Sequence, residues 1–244
     1  MLLRLLVCGA MPLLFASAAS ADLFLEDFED SSVGYTTSVN EFSDGSGDYF
    51  GRVGVDGITI GGAVSFSGTQ GTGFFAAQDI DGEGDSAEQS LTFSGIDISG
   101  FFNLGFSGFF AEDDDGSNQD WDDSDFLMVE ASIDGGNFEQ VFRIANDGST
   151  FNSAAFVDTD LDGVGDGAEI TDTFTQFSSA INGTGDLLDL RITMSLNSGD
   201  EDIAFDNIAI TGKAVPDPTT LVLFGIGGLG AVGSYRRRQK KSRA

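Results

Sequence analysis

Apolar and polar residues alternate along most of this chain in short runs, and clusters of Gly, Asp, Ser and Asn interrupt them every ten residues or so. A period of two buries one face of a segment and leaves the other in water. Such runs, broken by turn-formers at this spacing, predict the strands of a β-sandwich or barrel. Strands are expected at residues 23–28, 49–55, 58–66, 73–77, 90–93, 101–110, 126–133, 138–144, 170–177, 187–196 and 203–211. No stretch of the body shows a 3.6-residue apolar period, so the expected class is all-β. Within 101–110, Leu104, Phe106 and Gly108 fall on one face, as they would between two packed sheets. The 23 phenylalanines, against three tyrosines and one tryptophan, are the material for such a core.

The two ends depart from this pattern. Residues 1–21 carry one early charge (Arg4), an apolar stretch through Leu14 and Phe15, and the small residues Ala19, Ser20 and Ala21. That is the layout of a secretory signal peptide with cleavage before Asp22. Cys8 lies inside it, and its short upstream context with Leu6 and Val7 argues against a lipidation site, so residues 22–214 contain no cysteine and no disulfide. The other end has three parts. Val215, Pro216, Asp217 and Pro218 come first, and two prolines this close end any preceding helix or central strand. An uncharged run over 219–235 follows, about 25 Å long as a helix and close to the minimum for crossing a bilayer. Arg236, Arg237, Arg238, Lys240, Lys241 and Arg243 close the chain and would remain cytoplasmic.

A Pro-acid-Pro signature, an apolar helix and a terminal arginine cluster together resemble the PEP-CTERM sorting signal, here with Asp217 in place of the usual glutamate. The resemblance implies an exported protein of a Gram-negative bacterium. It would be held in the inner membrane by its C-terminal transmembrane helix, processed by an exosortase-type protease near residues 215–218, and released to the cell surface or extracellular matrix. The alternative is an ordinary C-terminal anchor with a basic stop, although Gly225, Gly227, Gly228 and Gly230 make the span a weak permanent one. The expected division is therefore a signal peptide at 1–21, one β-sandwich domain at 22–214, and the sorting signal at 215–244.

Charge changes the picture further. Within 22–214 four basic residues face 39 acidic ones, a balance near −35. Such a field repels nucleic acid, which is excluded as a partner, and anionic surfaces. It reads either as a solubilising or salt-adapted surface or as charge neutralised by divalent cations. The chain has no histidine, which removes the commonest general base and the usual zinc ligand. With no cysteine in the body either, catalysis would rest on carboxylates, hydroxyls or calcium. Paired carboxylates abound, but no pair stands out as an acid and base, so the expectation is a protein that is not an enzyme. A calcium-dependent hydrolase is the remote alternative, with Asp114, Asp123 and Glu130 the residues to test.

The sharpest chemical motif spans 158–169. Carboxylates at Asp158, Asp160 and Asp162, a glycine at Gly163, Asp166 and finally Glu169 match the twelve-residue EF-hand spacing, with Val164 placed to offer its backbone carbonyl. Calcium wants six to eight hard oxygens, and alternate residues of a tight turn can point inward together. The flanks, 155–157 and 170–174, read as strands and not helices, so the loop resembles the isolated calcium loops of dockerin and thrombospondin-type repeats. It is expected to be a structural Ca2+ site. Two other loops are acidic. One runs from Asp79 to Asp85. The other, 112–125, surrounds Trp121 and reads as a second cation site, as a sugar-stacking platform, or as an acidic loop whose tryptophan folds into the core.

The first and last segments of the body, Leu25-Glu26-Asp27-Phe28-Glu29 and Phe205-Asp206-Asn207-Ile208, resemble those of jelly-roll domains of secreted and surface proteins. These include MAM-like, concanavalin-like and carbohydrate-binding sandwiches, although the MAM cysteines are missing. The resemblance implies a jelly-roll β-sandwich with paired terminal strands and a calcium held by acidic residues on them, here Glu26, Glu29 and Asp206. The implied role is structural or adhesive, in the cell surface or exopolysaccharide matrix. A carbohydrate-binding module contacting polysaccharide is the first alternative, and a hydrolase the second.

Overall fold

The computed structural model describes residues 20–216, apart from 46, 62, 63, 83, 114–120 and 151. The expected signal-peptide core, the expected membrane span and Asp217 and Pro218 lie outside the described residues. Among the described residues no helix is long and apolar enough to cross a membrane.

Thirteen strands make up the described body: β1 (Ser20–Glu26), β2 (Thr36–Thr37), β3 (Phe42–Ser43), β4 (Tyr49–Val53), β5 (Phe74–Gln78), β6 (Glu88–Asp97), β7 (Phe101–Ala111), β8 (Phe126–Ile133), β9 (Glu139–Ala145), β10 (Phe156–Val157), β11 (Thr175–Ile181), β12 (Leu187–Ser195) and β13 (Asp202–Ala214). They form two sheets. One has the order β11-β7-β13-β5-β4-β3, with β1 added on β13; the other is β10-β9-β8-β12-β6-β2. Every named strand pair is antiparallel. The chain passes repeatedly from one sheet to the other, so the result is an all-β sandwich.

β13 organises the first sheet. Its first four residues, 202–205, pair with β5, and its later residues, 208–213, pair with β1, while β7 runs along the other edge. The terminal strands therefore pair, as the resemblance implied. Ser20 and Ala21, upstream of the expected cleavage point, lie opposite Lys213 and Gly212 in this register. β13 bulges between Asp206 and Ala209, where Asn207 adopts φ 47°. Bulges of this kind re-aim side chains, and here they surround Asp206.

The sheets are joined by aromatic rings. Phe75 on β5 and Phe205 on β13 stack 5.1 Å apart, and Phe110 on β7 lies 6.3 Å from Phe205. Phe110 then meets Phe142 of the opposite sheet at 5.0 Å. Phe28 contacts Phe205, Phe75 and Tyr35, and Tyr35 reaches Phe93 of the opposite sheet. Alternation along β7 is regular, with Leu104, Phe106, Gly108 and Phe110 all buried. A side chain at Gly108 would meet Ile208 at 2.7 Å and the Phe110 ring at 3.0 Å. The position is small because its neighbours fill the space.

Two strand expectations are corrected. The described residues of 58–66 do not form a strand: Ile58 makes only an isolated bridge to Val53. Instead Ile58, Ile60, Val64 and Phe66 lie across the outer face of the first sheet, over Tyr49, Phe74, Ala76, Ala111, Phe174 and Ala204. Alternation requires only that one face be covered, and lying on a sheet satisfies it as well as joining one. The expected strand 170–177 is shifted to β11, residues 175–181. That strand pairs only with β7 and is mostly exposed, so its Ser178-Ser179 stretch carries no apolar signal. β2 and β3, two residues each, escaped notice because a pair of residues has no period.

Phe205 touches three buried rings of the core, so Phe205→Ala should cost about 3–5 kcal/mol by lost packing plus a cavity. Urea unfolding monitored by circular dichroism measures it, and a loss below ~1 kcal/mol would contradict this account of the core.

Candidate functional site

Acidic side chains gather at four places. The first is the loop 158–169. Its ends are drawn together by backbone pairing: Val157 N donates to Ala168 O (2.9 Å) and Ile170 N to Ala155 O (2.8 Å). β10 leads into the loop as expected, whereas 170–174 bends at Asp172 and makes only an isolated bridge, Thr173 to Ser67. Asp158 is buried and organises the turn. Its Oδ1 accepts the N–H of Leu161 (2.7 Å) and Asp162 (3.3 Å), and its Oδ2 that of Gly163 (2.7 Å). Leu161 and Gly163 adopt φ of 62° and 100°, and the reversal depends on the glycine tolerating the second. The Nε of Arg143 lies 3.8 Å from Asp158 Oδ2 and supplies part of the counter-charge.

One oxygen each of Asp158, Asp160 and Asp162 converges within 4.8 Å. The charge of Asp162, first among several causes, raises the Asp160 carboxyl above the usual range. Asp166 does not join this group. Its Oδ1 accepts the N–H (2.9 Å) and hydroxyl (2.7 Å) of Thr159, and those bonds lower its pKa. Glu169 is exposed, bridges Phe156 through its backbone, and also lies outside the convergent set, while Val164 is exposed on the loop.

The second place is the pair of terminal strands. Glu26 accepts the N–H of Phe28 (3.0 Å), which permits that buried ring its unusual φ of 53°. Glu29 accepts the N–H groups of Thr72 (2.7 Å) and Gly73 (2.8 Å), and Asp206 those of Gln70 (3.1 Å) and Asn207 (2.6 Å). Asp206 is fully buried, and burial above all, with Glu29 and Asp27 nearby, pushes its carboxyl up to about 6. Glu29 and Asp206 thus clamp the segment 70–73, while Glu26 holds the backbone at Phe28, and the oxygens of the three are not one of the convergent groups.

The third lies at the end of the sandwich where β8 and β13 begin. Trp121 is completely buried, and its indole Nε1 donates to the carbonyl of Asp202 (3.2 Å). A buried ring cannot stack on a sugar, so Trp121 is core and not a platform. Asp113 N donates to Asp202 Oδ1 (3.0 Å), and burial pushes the Asp202 carboxyl up to about 8. Asp122, Asp125 and Glu201 form the other convergent carboxylate group among the described residues. Glu201 and Asp202 had no individual signal in the sequence beyond a Ser-Gly-Asp turn; their partners lie far away along the chain. The loop 79–85 brings Asp79 against Asp48 and Asp81, and burial first, then those charges, raise Asp79 to about 6.

The outer face of the second sheet is different in kind. Nε and Nη2 of Arg191 on β12 both donate to Oε2 of Glu130 on β8, at 2.9 and 2.7 Å. Arg191 also lies 4.1 Å above the Phe138 ring, and Arg143 4.6 Å above Phe126. A groove of about 250 Å3 on this face is lined by Ser38, Ser90, Met128, Glu130, Arg191 and Thr193, among others. Two of the four basic residues of the body are spent here. Asp114 lies outside the described residues, and Asp123 is exposed.

Comparison with known proteins supports the reading of the tail. Residues 214–238 match the PEP-CTERM protein-sorting motif. The motif marks an exported protein held in the membrane by its C-terminus before processing. Val215 and Pro216 are exposed just after β13. No curated protein matches the chain. Several solved structures are similar in outline. The CBM22-1 xylan-binding domain of Paenibacillus barcinonensis Xyn10C shares 13% identity at a TM-score of 0.40, over 83% of this chain and 99% of that one. The CBM22-1–GH10 modules of Clostridium thermocellum xylanase 10B, complexed with xylohexaose, share 15% at 0.39, over 79% of this chain and 28% of that one. The K3 cleaved adhesin domain of Lys-gingipain from Porphyromonas gingivalis w83 shares 18% at 0.41, over 78% and 98%. At such identities and scores nothing about a ligand follows from them.

Proposed function

We propose that this chain is a calcium-stabilised structural or adhesive protein of the bacterial surface or exopolysaccharide matrix, released there by an exosortase-type cut in its C-terminal signal. The PEP-CTERM motif at 214–238 carries the reading. The body is consistent with it: a cysteine-free sandwich near −35 suits an exterior rich in divalent cations and needs no oxidising enzyme to fold. Calcium enters through Asp158, Asp160 and Asp162, whose oxygens converge without a ligand histidine or thiol. A shell of six to eight oxygens needs more than these three. The Val164 carbonyl, Asp166 turned away from Thr159, Glu169 and water are the donors within the loop that would complete it. Glu26, Glu29 and Asp206 are the less complete site, because their oxygens do not converge as those of Asp158, Asp160 and Asp162 do.

One observation favours a second reading, binding of polysaccharide. The outer face of the second sheet presents a fixed Arg191–Glu130 pair beside a groove with Ser, Thr and Met walls. Charged, amide and hydroxyl groups lining one groove are what sugar hydroxyls require. The ion pair also bears on the hydrolase alternative. Both guanidinium bonds fall on Oε2 of Glu130, so that oxygen is already committed to Arg191.

Three measurements test these readings. Mass spectrometry of the protein isolated from its native surface should find a C-terminus near Val215–Pro218; surface-exposed protein retaining Arg236–Ala244 would count against processing. Calcium at a hundred times its Kd should stabilise the fold by about 2.7 kcal/mol over an EDTA-treated sample. The joint change Asp158→Asn and Asp162→Asn should remove the part of that gain that this loop supplies, and an unchanged gain would move calcium away from this loop. For the second reading, affinity electrophoresis through soluble xylan, β-glucan and galactomannan should show retardation that the paired change Glu130→Gln with Arg191→Met abolishes. Equal mobility of wild type with and without polysaccharide would remove that reading and leave the first.

A further inference from the structure

The turns at 122–125 and 197–201 come from opposite parts of the chain, yet three carboxylates meet between them. One oxygen each of Asp122, Asp125 and Glu201 lies within 4.8 Å of the others. A backbone N–H fixes each carboxylate. Ser124 N and Oγ hold Oδ1 of Asp122 (2.7 and 2.6 Å), Asp122 N holds Oδ2 of Asp125, and Asn197 N holds Oε2 of Glu201 (2.8 Å). Asn197 Nδ2 also donates to Ser124 Oγ at 2.8 Å, which ties the two turns directly. The arrangement is therefore rigid before anything binds.

A second observation points to a missing partner. Asp125 is only 2% exposed, and its Oδ1 is buried with no hydrogen-bond partner. Leaving a buried acceptor unsatisfied is costly, more so for a charged group, and native structures rarely do it without a reason. Of its neighbours, Glu201 can pair with it only through a proton shared between the two carboxyls, which a bound cation displaces. The arginines that form ion pairs are engaged elsewhere, Arg143 with Asp158 and Arg191 with Glu130. What fits between three anchored carboxylates, one of them short of a partner, is a cation.

We propose that Asp122, Asp125 and Glu201 form a second divalent-cation site, with calcium as its ion. All the donors are hard oxygens, which excludes the softer metals that prefer imidazole or thiolate. A site assembled from two turns offers irregular geometry, which calcium tolerates and magnesium resists. The bound ion pins the turn after Trp121 to the turn that opens β13. The site is independent of the 158–169 loop and stands whether or not that loop binds calcium.

Trp121, the only tryptophan, immediately precedes Asp122 and makes the test specific. Terbium(III), a hard oxygen-seeking ion of similar size to calcium, is titrated into the full chain with excitation at the red edge of the tryptophan band, where tyrosine does not absorb. Sensitised terbium emission should appear and be displaced by excess calcium. Glu201→Gln should weaken binding on the order of tenfold or more, while Asp158→Asn leaves the tryptophan-excited signal in place. Near-UV circular dichroism confirms that Glu201→Gln is folded, and Asp122→Asn serves as the second variant if it is not. The proposal is overturned if terbium emission lacks a tryptophan band, if calcium fails to displace it, if the folded ligand variant binds unchanged, or if Asp158→Asn abolishes the signal instead.

Discussion

Phe205 stacks on Phe75 within one sheet and meets Phe110, which in turn reaches Phe142 in the other, and the spacing of the sandwich depends on this chain of rings. With no disulfide in the body, burial of aromatic surface is the main term left to oppose the chain entropy. Because β13 carries Phe205 between β5 and β7, and holds β1 further along, the rings also decide where the terminal strands lie. The acidic groups at the ends of β13 are positioned as a consequence.

The charge of the body is then distributed in a definite way. Several carboxylates are not merely solvated; they fasten loops by accepting backbone N–H groups. Asp134 accepts those of Asp186 and Leu187, Glu29 those of Thr72 and Gly73, and Asp158 three within its own loop. Such bonds favour the ionised form, and the pKa values of Asp134 and Glu29 fall accordingly, backbone bonds being the leading cause. A polar backbone that must turn often finds its acceptors in its own aspartates. Where burial outweighs that support, the carboxyls rise instead. Asp125 is pushed to about 8, chiefly by burial, and Glu201 rises for the same leading reason.

Much of the fold was legible. Strands β4 to β9, β12 and β13 lie close to their expected places because each buries one face, and period two reports that directly. The segment 58–66 shows the limit of the signal: its alternation was real, but it covers a sheet where pairing was expected. β11 was displaced because an exposed edge strand carries little apolar pattern. In the candidate sites, the spacing of Asp158, Asp160 and Asp162 was local and could be read as a loop. Whether Asp166 and Glu169 turn inward was not local, since Thr159 competes for one and strand-like pairing directs the other.

By itself the sequence determined the class, the acidic character, the absence of histidine and cysteine chemistry from the body, and the sorting motif of the tail. These depend on composition and on short-range order, which survive without knowing any contact. Only the tertiary structure decided that Trp121 is core, that Glu130 belongs to Arg191, and that Asp122 and Asp125 meet Glu201. Each of those pairs residues that are far apart along the chain. Their distance in space is set by the sheet order and by which face each strand turns inward, and no local pattern encodes either.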